Sequence, residues 1–396
     1  MPEQFLHGVE VVEIDGGTRP IKTMKSSVIG LIGTSVKGPM NEPTLIIGSR
    51  KEAVDIFGAK DGVHTIPDAL DAIFDQAGAM VVVIRVERAV DANGDYDEAQ
   101  TKSNVIGNGD AFSGVHGFSS AQSTVHVTPR ILVAPGFSHN MEVVSELEGI
   151  ANKIKAVILA DGPNTTDADA ITYRGNFGSD RIFIVDPSVK VFDTVTNDYI
   201  AQPASPRVAG LISKMDNEKG FWWSPSNQII TGIAGTWRPV DYAHGNPNSK
   251  ANLLNENEVT TIIHQDGYRL WGNRTTSSDP KFAFLSVRRT ADMIQESLLR
   301  AHLWAVDRNI TRFYAEDVKE GVNAYLRNLK AKGAILGGEC YLDPELNTPE
   351  NIASGKIYFD FDFTPPYPAE HVTFRSHLVN DYIEEIFPIQ QSETAV

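Results

Sequence analysis

The run Met80-Val81-Val82-Val83-Ile84-Arg85-Val86 is the strongest indication of the fold class of this chain. Six of its seven side chains are apolar, and they do not alternate with polar ones as they would in a strand with one wet face. A continuous apolar run of this length is typical of a strand buried on both faces inside a parallel sheet. The run therefore predicts an α/β arrangement in which helices cover both faces of a sheet.

Further apolar runs of strand length lie on both sides of this one, and helical patterns separate them. The predicted strands are residues 28–33, 44–47, 130–134, 156–160 and 181–185. The predicted helices are residues 66–76, 141–153, 167–177 and 203–215. Strands that alternate with helices of this length indicate a mixed sheet. We assign residues 26–265 to this α/β part, with a polar, glycine-rich insertion near residues 88–128.

The C-terminal part has a different order of helical and strand patterns. This order predicts a smaller α+β domain over residues 266–368. Two long helical patterns, residues 286–306 and 315–332, precede a strand-like run at 335–342. The clearest alternation in the chain is Ile357-Tyr358-Phe359-Asp360-Phe361-Asp362-Phe363. Its apolar residues Ile357, Phe359, Phe361 and Phe363 occupy every second position, which predicts a strand with one buried face.

Both ends of the chain read as extended arms, residues 1–25 and 369–396. The N-terminal arm contains a short strand pattern and the C-terminal arm contains a second alternating strand followed by a helical apolar stripe. The residues concerned are Val9, Val11, Val12, Ile14, Val372, Phe374, Arg375, Ile383, Ile386 and Phe387. A single strand has no hydrogen-bond partner of its own, so each arm is expected to join a sheet elsewhere.

Composition excludes several classes of protein. The 396 residues include 35 lysines and arginines and 51 aspartates and glutamates, and the net charge of −16 argues against nucleic acid as a partner. The single cysteine, Cys340, excludes an internal disulfide and a cysteine-built zinc site. We find no signal-peptide pattern and no apolar stretch of membrane-spanning length, so we expect folding in the cytosol without membrane insertion.

The sequence lacks the motifs that carry common chemistry. It contains neither a phosphate-binding loop nor a dinucleotide fingerprint, and HExxH is absent. We therefore predict no catalytic, cofactor-binding or metal-binding residue. One alternative stays open: Asp360 and Asp362 form a D-x-D that would hold a divalent metal in an α/β enzyme, although two solvated carboxylates on a strand is the simpler interpretation.

Charge is unevenly distributed along the C-terminal part. Residues 281–332 contain ten lysines and arginines against six acidic residues, a net charge of +4, whereas residues 339–396 contain two against eleven, a net charge of −9. These are either solvated faces or complementary surfaces through which one copy meets the next. Charge alone does not separate the two interpretations.

Several stretches, in order from end to end, resemble the tail sheath proteins of contractile-tailed bacteriophages and of the related R-type bacteriocins. They are residues 7–9 with 13–19, Trp223-Ser224-Pro225-Ser226-Asn227 with 231–233, residues 253–263, residues 301–307 and residues 356–365. The most specific is Tyr268-Arg269-Leu270-Trp271-Gly272-Asn273-Arg274-Thr275. One departure is Glu258, where such sheaths usually have glycine; we expect Asn257 to take the left-handed conformation instead.

The resemblance implies a structural protein, without enzymatic activity, of the temperate enterobacterial phage type. Its subunits are expected to form stacked six-membered rings around the tail tube, with baseplate and tail terminator proteins as further partners. The location implied is the virion tail, assembled in the host bacterial cytoplasm. A bacteriocin sheath remains an alternative, as does a type VI-like secretion sheath, although that machine divides its sheath between two chains.

Overall fold

A computed structural model describes residues 21–194, 196–380 and 382–383. In chain order, the strands are β1 (Ile29–Thr34), β2 (Thr44–Ile47), β3 (Met80–Val86), β4 (Ile131–Val133), β5 (Val157–Asp161), β6 (Ile182–Val185), β7 (Val189–Asp193), β8 (Asp198–Gln202), β9 (Gly235–Thr236), β10 (Val259–His264), β11 (Tyr268–Trp271), β12 (Gly337–Leu342) and β13 (Phe359–Thr364).

The helices, in the same order, are α1 (Arg50–Phe57), α2 (Thr65–Phe74), α3 (Glu98–Ile106), α4 (Ala121–Thr124), α5 (Met141–Ile154), α6 (Asp167–Arg174), α7 (Ser205–Glu218), α8 (Lys250–Glu256), α9 (Leu285–Ala301), α10 (Arg312–Ala331) and α11 (Pro349–Ala353). Short 3-10 turns cover Gly114–Ser120, Pro280–Phe282 and Leu303–Ala305. None of the helices in the described ranges is both long and apolar enough to cross a bilayer.

The large sheet has eight strands in the order β11-β10-β6-β5-β4-β1-β3-β2. Its interior pairs are parallel, and an antiparallel strand closes each edge: β2 on β3, and β11 on β10. Strand β3, the apolar run Met80–Val86, is almost entirely buried. The mixed α/β class predicted from the sequence is confirmed.

Two cores lie on opposite faces of the large sheet. On one face, the β1 and β3 side chains Leu31 and Val83 pack with Leu70 of α2 and Ile212 of α7. On the other, Ile84 of β3 packs among residues of α3, α5 and the turn at Gly114–Ser120. Helices on both faces bury an extensive apolar surface, and each square ångström removed from water contributes about 25 cal/mol.

The segment at residues 88–128 forms the crossover from β3 to β4. Within it, Val105 of α3 and Phe118 of the following turn are fully buried in the second core. The segment is polar on average because its other face is exposed. Its few apolar side chains nevertheless complete one layer of the sheet packing.

A smaller body follows, in which α10 packs on the two-stranded sheet of β12 and β13. Apolar residues of α10, spaced three and four apart, face this sheet and form a third core with Met293 and Ile294 of α9. The smaller C-terminal body expected from the sequence is present. Strand β11 pairs with β10 in the large sheet, so the predicted division between residues 265 and 266 falls inside a hairpin.

The predicted strand over Val372, Phe374 and Arg375 does not form in the single chain. This part of the C-terminal arm is extended and exposed; the side chain of Phe374 is 93% accessible. The physical reason is that an alternating sequence becomes a strand only beside a hydrogen-bonding partner. Among the described residues, no strand lies beside it.

Candidate assembly surface: the receiving sheet and the arm roots

The two-stranded sheet of β12 and β13, which we call the receiving sheet, presents a half-covered apolar face. In β13 the side chains of Phe359, Phe361 and Phe363 point toward the core beneath α10, and all three are only partly buried. The rings of Phe361 and Phe363 stack with centroids 6.2 Å apart. The phenylalanine face predicted for this strand is therefore present and incompletely covered. Ile357, the first residue of the pattern, lies two residues before β13.

The two outer edges of the receiving sheet differ. At β12, Asn323 of α10 binds both backbone groups of Cys340: its Nδ2 donates to the carbonyl oxygen at 3.1 Å, and its Oδ1 accepts from the N–H at 2.8 Å. At β13, no described strand pairs with the edge that faces away from β12. An unpaired edge is a template for another strand, so β13 is the side on which a further strand can add.

Cys340 is a packing residue of the third core. Its side chain is buried between α10 and the strand, and burial raises the pKa of its thiol to about 11. A thiol with that pKa is protonated at neutral pH and is a poor nucleophile.

Asp360 and Asp362, the possible metal ligands named from the sequence, lie on the opposite face of β13 from the phenylalanines. The carboxylate of Asp362 accepts a hydrogen bond from the backbone N–H of Glu339 at 3.0 Å, so it stabilises the pairing of the two strands. The described part of the chain contains no cluster of three or more histidine, cysteine or acidic side chains arranged to hold a metal ion. The arrangement supports the structural interpretation of this pair.

The crevice where a parallel sheet commonly binds ligands is filled. Such sheets bind ligands where the strand order reverses, here between β1 and β4. The N–H of Thr34 donates to Thr65 Oγ1 at 3.1 Å, and the N–H of Thr65 donates to Thr34 Oγ1 at 3.3 Å. A Cβ atom on neighbouring Gly33 would lie only 2.3 Å from Thr65 Oγ1. Helix α2 therefore begins directly in this crevice.

The first half of the family motif, residues 268–271, anchors β11 to surrounding loops. The hydroxyl of Tyr268 donates to the carbonyl of Ala234 at 2.7 Å, and the guanidinium of Arg269 donates to the carbonyl of Asn227 at 2.9 Å. The Trp271 ring packs edge-on against Tyr242 with centroids 5.0 Å apart. These contacts hold the loops at residues 226–246 against the edge strand.

The second half of the motif turns the chain toward α9. Gly272 has a φ of +140°, and a Cβ atom there would lie 2.5 Å from Thr260 Oγ1, so only glycine fits. Asn273 is buried, and its carbonyl oxygen accepts from the N–H of Leu285 at 3.0 Å. The N–H of Thr275 donates to the carbonyl of Ala283 at 2.8 Å. The motif is thus a structural junction between the large sheet and α9.

Arg274 extends this junction to the C-terminal arm. Its guanidinium forms a bidentate pair with the carboxylate of Glu370, with Nη2 to Oε2 at 2.6 Å and Nε to Oε1 at 2.8 Å. The pair raises the pKa of Arg274 further above its usual value. The sequence does not single out Glu370, because an acidic residue after a proline-rich linker carries no pattern of its own.

Glu258 itself takes the left-handed conformation, with a φ of +58°, whereas Asn257 has a φ of −96°. The expectation that Asn257 would do so is therefore wrong. The physical reason is an ion pair: the Glu258 carboxylate meets the guanidinium of Arg174 on α6. This partly buried contact opposes part of the strain of about 1–2 kcal/mol that a non-glycine residue has in this region.

The arm residues named from the sequence fall into two groups. Val372, Phe374, Arg375 and Ile383 are exposed, and the N–H of Ile383 donates to the carbonyl of Asn380 at 2.9 Å. The remaining six lie outside the described residues: Val9, Val11, Val12, Ile14, Ile386 and Phe387. No described contact tests these assignments, which stay predictions.

The root of the N-terminal arm is attached to the smaller body. Ile21 and Met24 pack on the third core, and the N–H of Met24 donates to Ser297 Oγ of α9 at 3.2 Å. The hydroxyls of Thr23 and Tyr325 lie 3.3 Å apart. The described root of each arm is therefore attached to the body of the subunit.

Comparison with known families finds phage tail sheath domains along most of the chain. Residues 26–86 match the N-terminal region of domain III of the tail sheath protein Gp18, residues 105–276 match the phage tail sheath protein central domain, and residues 277–378 match the phage tail sheath C-terminal domain.

Relatives with high coverage carry the same description. A prophage major tail sheath protein of Pseudomonas aeruginosa (strain UCBPP-PA14) is 42% identical over 393 residues, 97% of this chain and 99% of that protein. The tail sheath protein of Escherichia phage P2 is 36% identical, with 96% of this chain and 98% of that protein covered.

Solved structures show the same fold at lower identity. The helical sheath of the anti-feeding prophage in its contracted state is 20% identical with a TM-score of 0.70, covering 94% of this chain and 99% of that chain. The sheath complex of the extracellular contractile injection system PVC, also contracted, is 15% identical with a TM-score of 0.69, covering 96% and 99%. The chain belongs to the phage tail sheath family and is a structural subunit of a contractile tail sheath.

Proposed function

We propose that this subunit polymerises as stacked six-membered rings around a tail tube, and that exchanged arms connect the rings. The observation that carries the proposal is that one chain has both an unpaired sheet edge and an extended segment that could add to such an edge. The receiving sheet has an open edge at β13, and the C-terminal arm has an exposed alternating segment without a strand beside it in the described residues. Addition of an extended segment to a sheet edge is a common recognition mode.

The energetics of strand addition favour such a lattice. Each backbone hydrogen bond contributes about 0.5–1.5 kcal/mol net, so several bonds per added strand give each contact a few kcal/mol. Apolar side chains such as Val372 and Phe374 would cover the remaining accessible surface of the β13 phenylalanines. Repetition over every subunit holds the polymer together while the bodies between the arms change their packing.

The work of contraction would then come from the polymer itself. Extended and contracted lattices differ in their interfaces, and the extended form would be a kinetically trapped state released by a trigger from the baseplate. The sheath would shorten and drive the rigid tube through the host envelope, with no enzymatic step, cofactor or metal ion in this chain. We place the sheath in the virion tail, assembled in the host cytoplasm. The sheath of a bacteriocin or of a type VI-like machine would contract by the same change of lattice.

The partners that follow are other copies of this chain, the baseplate, the tail tube and the tail terminator protein, without nucleic acid or membrane insertion. We place the tube beside α10. Its apolar side faces the third core, and Arg327 and Lys330 on its other side are exposed. Glu316, Asp317 and Glu320 are exposed earlier on the same helix, so only its last turns, with Arg327 and Lys330, would offer a basic surface to an acidic tube wall.

Truncation of the arm tests the proposal. We expect a chain ending at residue 371 to unfold at the same temperature as the full chain but to sediment as a monomer and to form neither rings nor rods in negative-stain micrographs. A chain shortened only by residues 391–396 is the matched control and should polymerise. Normal rods from the chain ending at 371 would overturn strand exchange by this arm; deletion of residues 1–20 tests the N-terminal arm in the same way.

A further inference from the structure

The root of the C-terminal arm, residues 365–371, is held against the body by one charged contact. Arg274 and Glu370 are 96 residues apart in sequence, and three nitrogen-to-oxygen distances between them lie at 2.6, 2.8 and 3.1 Å. A bidentate pair of this kind fixes orientation as well as distance, because the planar guanidinium matches the planar carboxylate.

The cation of this pair is itself held in place. Arg274 forms an isolated antiparallel bridge with Phe284, and its guanidinium carbon lies 5.0 Å from the centre of the Phe284 ring. The Phe284 ring in turn meets Tyr367 of the arm root, edge to face, with centroids 6.1 Å apart. The arm root is therefore attached at two positions three residues apart, Tyr367 and Glu370.

Beyond these two contacts, the described part of the arm has few contacts with the body. Val372, Phe374 and Leu378 are exposed, and Leu378 is 98% accessible. On the other side of Glu370, the prolines at 365, 366 and 368 restrict the backbone of the linker that leaves β13. Within the described residues, the chain is therefore attached to the body up to Glu370 and extends from it immediately afterwards.

We propose that Arg274 is a positioning residue for assembly: by holding Glu370 it sets the direction in which the C-terminal arm leaves the body toward the sheet of a second copy. The inference rests on the proposed exchange of this arm. A tethered segment binds according to its effective concentration at the partner site, which falls when its root is free to swing. The pair would act on assembly rather than on folding, since both side chains are partly exposed and surface pairs contribute little to stability.

Charge reversal separates this role from a general structural one. We expect Arg274→Glu and Glu370→Arg each to raise the subunit concentration needed for polymerisation by about fivefold or more, as a loss of effective concentration would. The double variant Arg274→Glu/Glu370→Arg should return to within about twofold of the unmodified chain, because the pair is restored with opposite polarity. The melting temperature of the unassembled chain should be unchanged in all three.

The matched control is Arg50→Glu, an exposed arginine that pairs with Asp71 and Asp75 on the large body. It changes the net charge by the same amount as Arg274→Glu and should not alter polymerisation. Single reversals that polymerise like the unmodified chain, or a double variant no better than the singles, would overturn the positioning role. If the chain ending at residue 371 still forms rods, the proposed exchange of the C-terminal arm is wrong. If that chain does not polymerise while the single charge reversals polymerise like the unmodified chain, only the role of Arg274 is wrong.

Discussion

The Asn323 side chain replaces a neighbouring strand at Cys340. Its amide donates to the backbone carbonyl oxygen and accepts from the backbone N–H of that residue, at 3.1 and 2.8 Å, as the backbone of an added strand would. Because this N–H is already engaged by α10, it cannot bind β13 or an incoming arm. The receiving sheet is therefore closed at this point on one side, which is why our proposal places the added strand at the edge of β13.

Replacement of this amide should weaken the smaller body. Asn323→Leu leaves the N–H and the carbonyl of Cys340 buried without partners, and we expect it to lower the free energy of unfolding by about 2 kcal/mol. Chemical denaturation of the unassembled chain would measure the change. Asn328→Leu, at an exposed position on the same helix, is the matched control and should stay within about 0.5 kcal/mol. Equal stability of the two variants would contradict the role given to Asn323.

Substitutions at Glu258 should separate backbone strain from the ion pair. Glu258→Ala loses the contact with Arg174 and keeps the left-handed backbone, whereas Glu258→Gly loses the contact and relieves the strain. We expect the glycine variant to be more stable than the alanine variant by about 1 kcal/mol. Thermal unfolding of both beside the unmodified chain gives the order. An alanine variant as stable as the glycine variant would show that the turn is not strained.

Asp161 should make the stability of the large body depend on pH. Its carboxylate is buried and accepts from Ser138 Oγ at 3.0 Å and from Ser205 Oγ at 2.6 Å. Burial raises its pKa above the ordinary 3.8, and the hydrogen bonds from Ser205 and Ser138 only partly oppose this effect. A carboxyl group with a raised pKa in the folded state binds more protons there than in the unfolded state, so its contribution is complete below pH 3.8 and is lost as the pH rises through the folded pKa.

The substitution Asp161→Asn should remove this dependence. We expect the free energy of unfolding of the unmodified chain to fall, relative to that of the variant, as the pH rises from 4 toward neutrality. Exposed Asp169 has its pKa lowered from 3.8 by hydrogen bonds from Thr165 and Thr166, so Asp169→Asn should give a difference of the opposite sign, which develops as the pH falls below 3.8. Denaturation curves at several pH values would test both. A difference between the unmodified chain and Asp161→Asn that is constant with pH would contradict the assignment.

The proposed tube-facing surface gives a prediction about partner binding. Reversal of charge at Arg327 and Lys330 should weaken sheath assembly on preformed tubes, while rods formed by the sheath alone persist. Co-sedimentation with purified tubes measures the first property and electron microscopy the second. Charge reversal at Arg88, a half-buried residue outside α10 that stacks on Tyr96, is the control. Unchanged tube binding by the double variant would exclude α10 as the contact.

Much of the fold was predictable because local patterns dominate it. The β3 run is apolar on both faces, and the alternation at residues 357–363 allows a single choice of buried face, since a one-residue shift would expose every phenylalanine. Asn323 also has a signal in the sequence, because it is an amide within the buried stripe of α10. Glu370 left none, because its role depends on a partner 96 residues away.

The sequence by itself determined the α/β class, the apolar face of β13 and the family motif at residues 268–275, because each depends on the order of neighbouring side chains. Three features became visible only in the three-dimensional structure: the Asn323 side chain at the edge of the receiving sheet, the left-handed turn at Glu258, and the contact of Arg274 with the arm root. These are distances between parts of the chain that are remote in sequence. The predicted strand over residues 372–375 combines both kinds of information. Its alternating pattern is local, but its hydrogen bonds require a partner that the described residues of one chain do not supply.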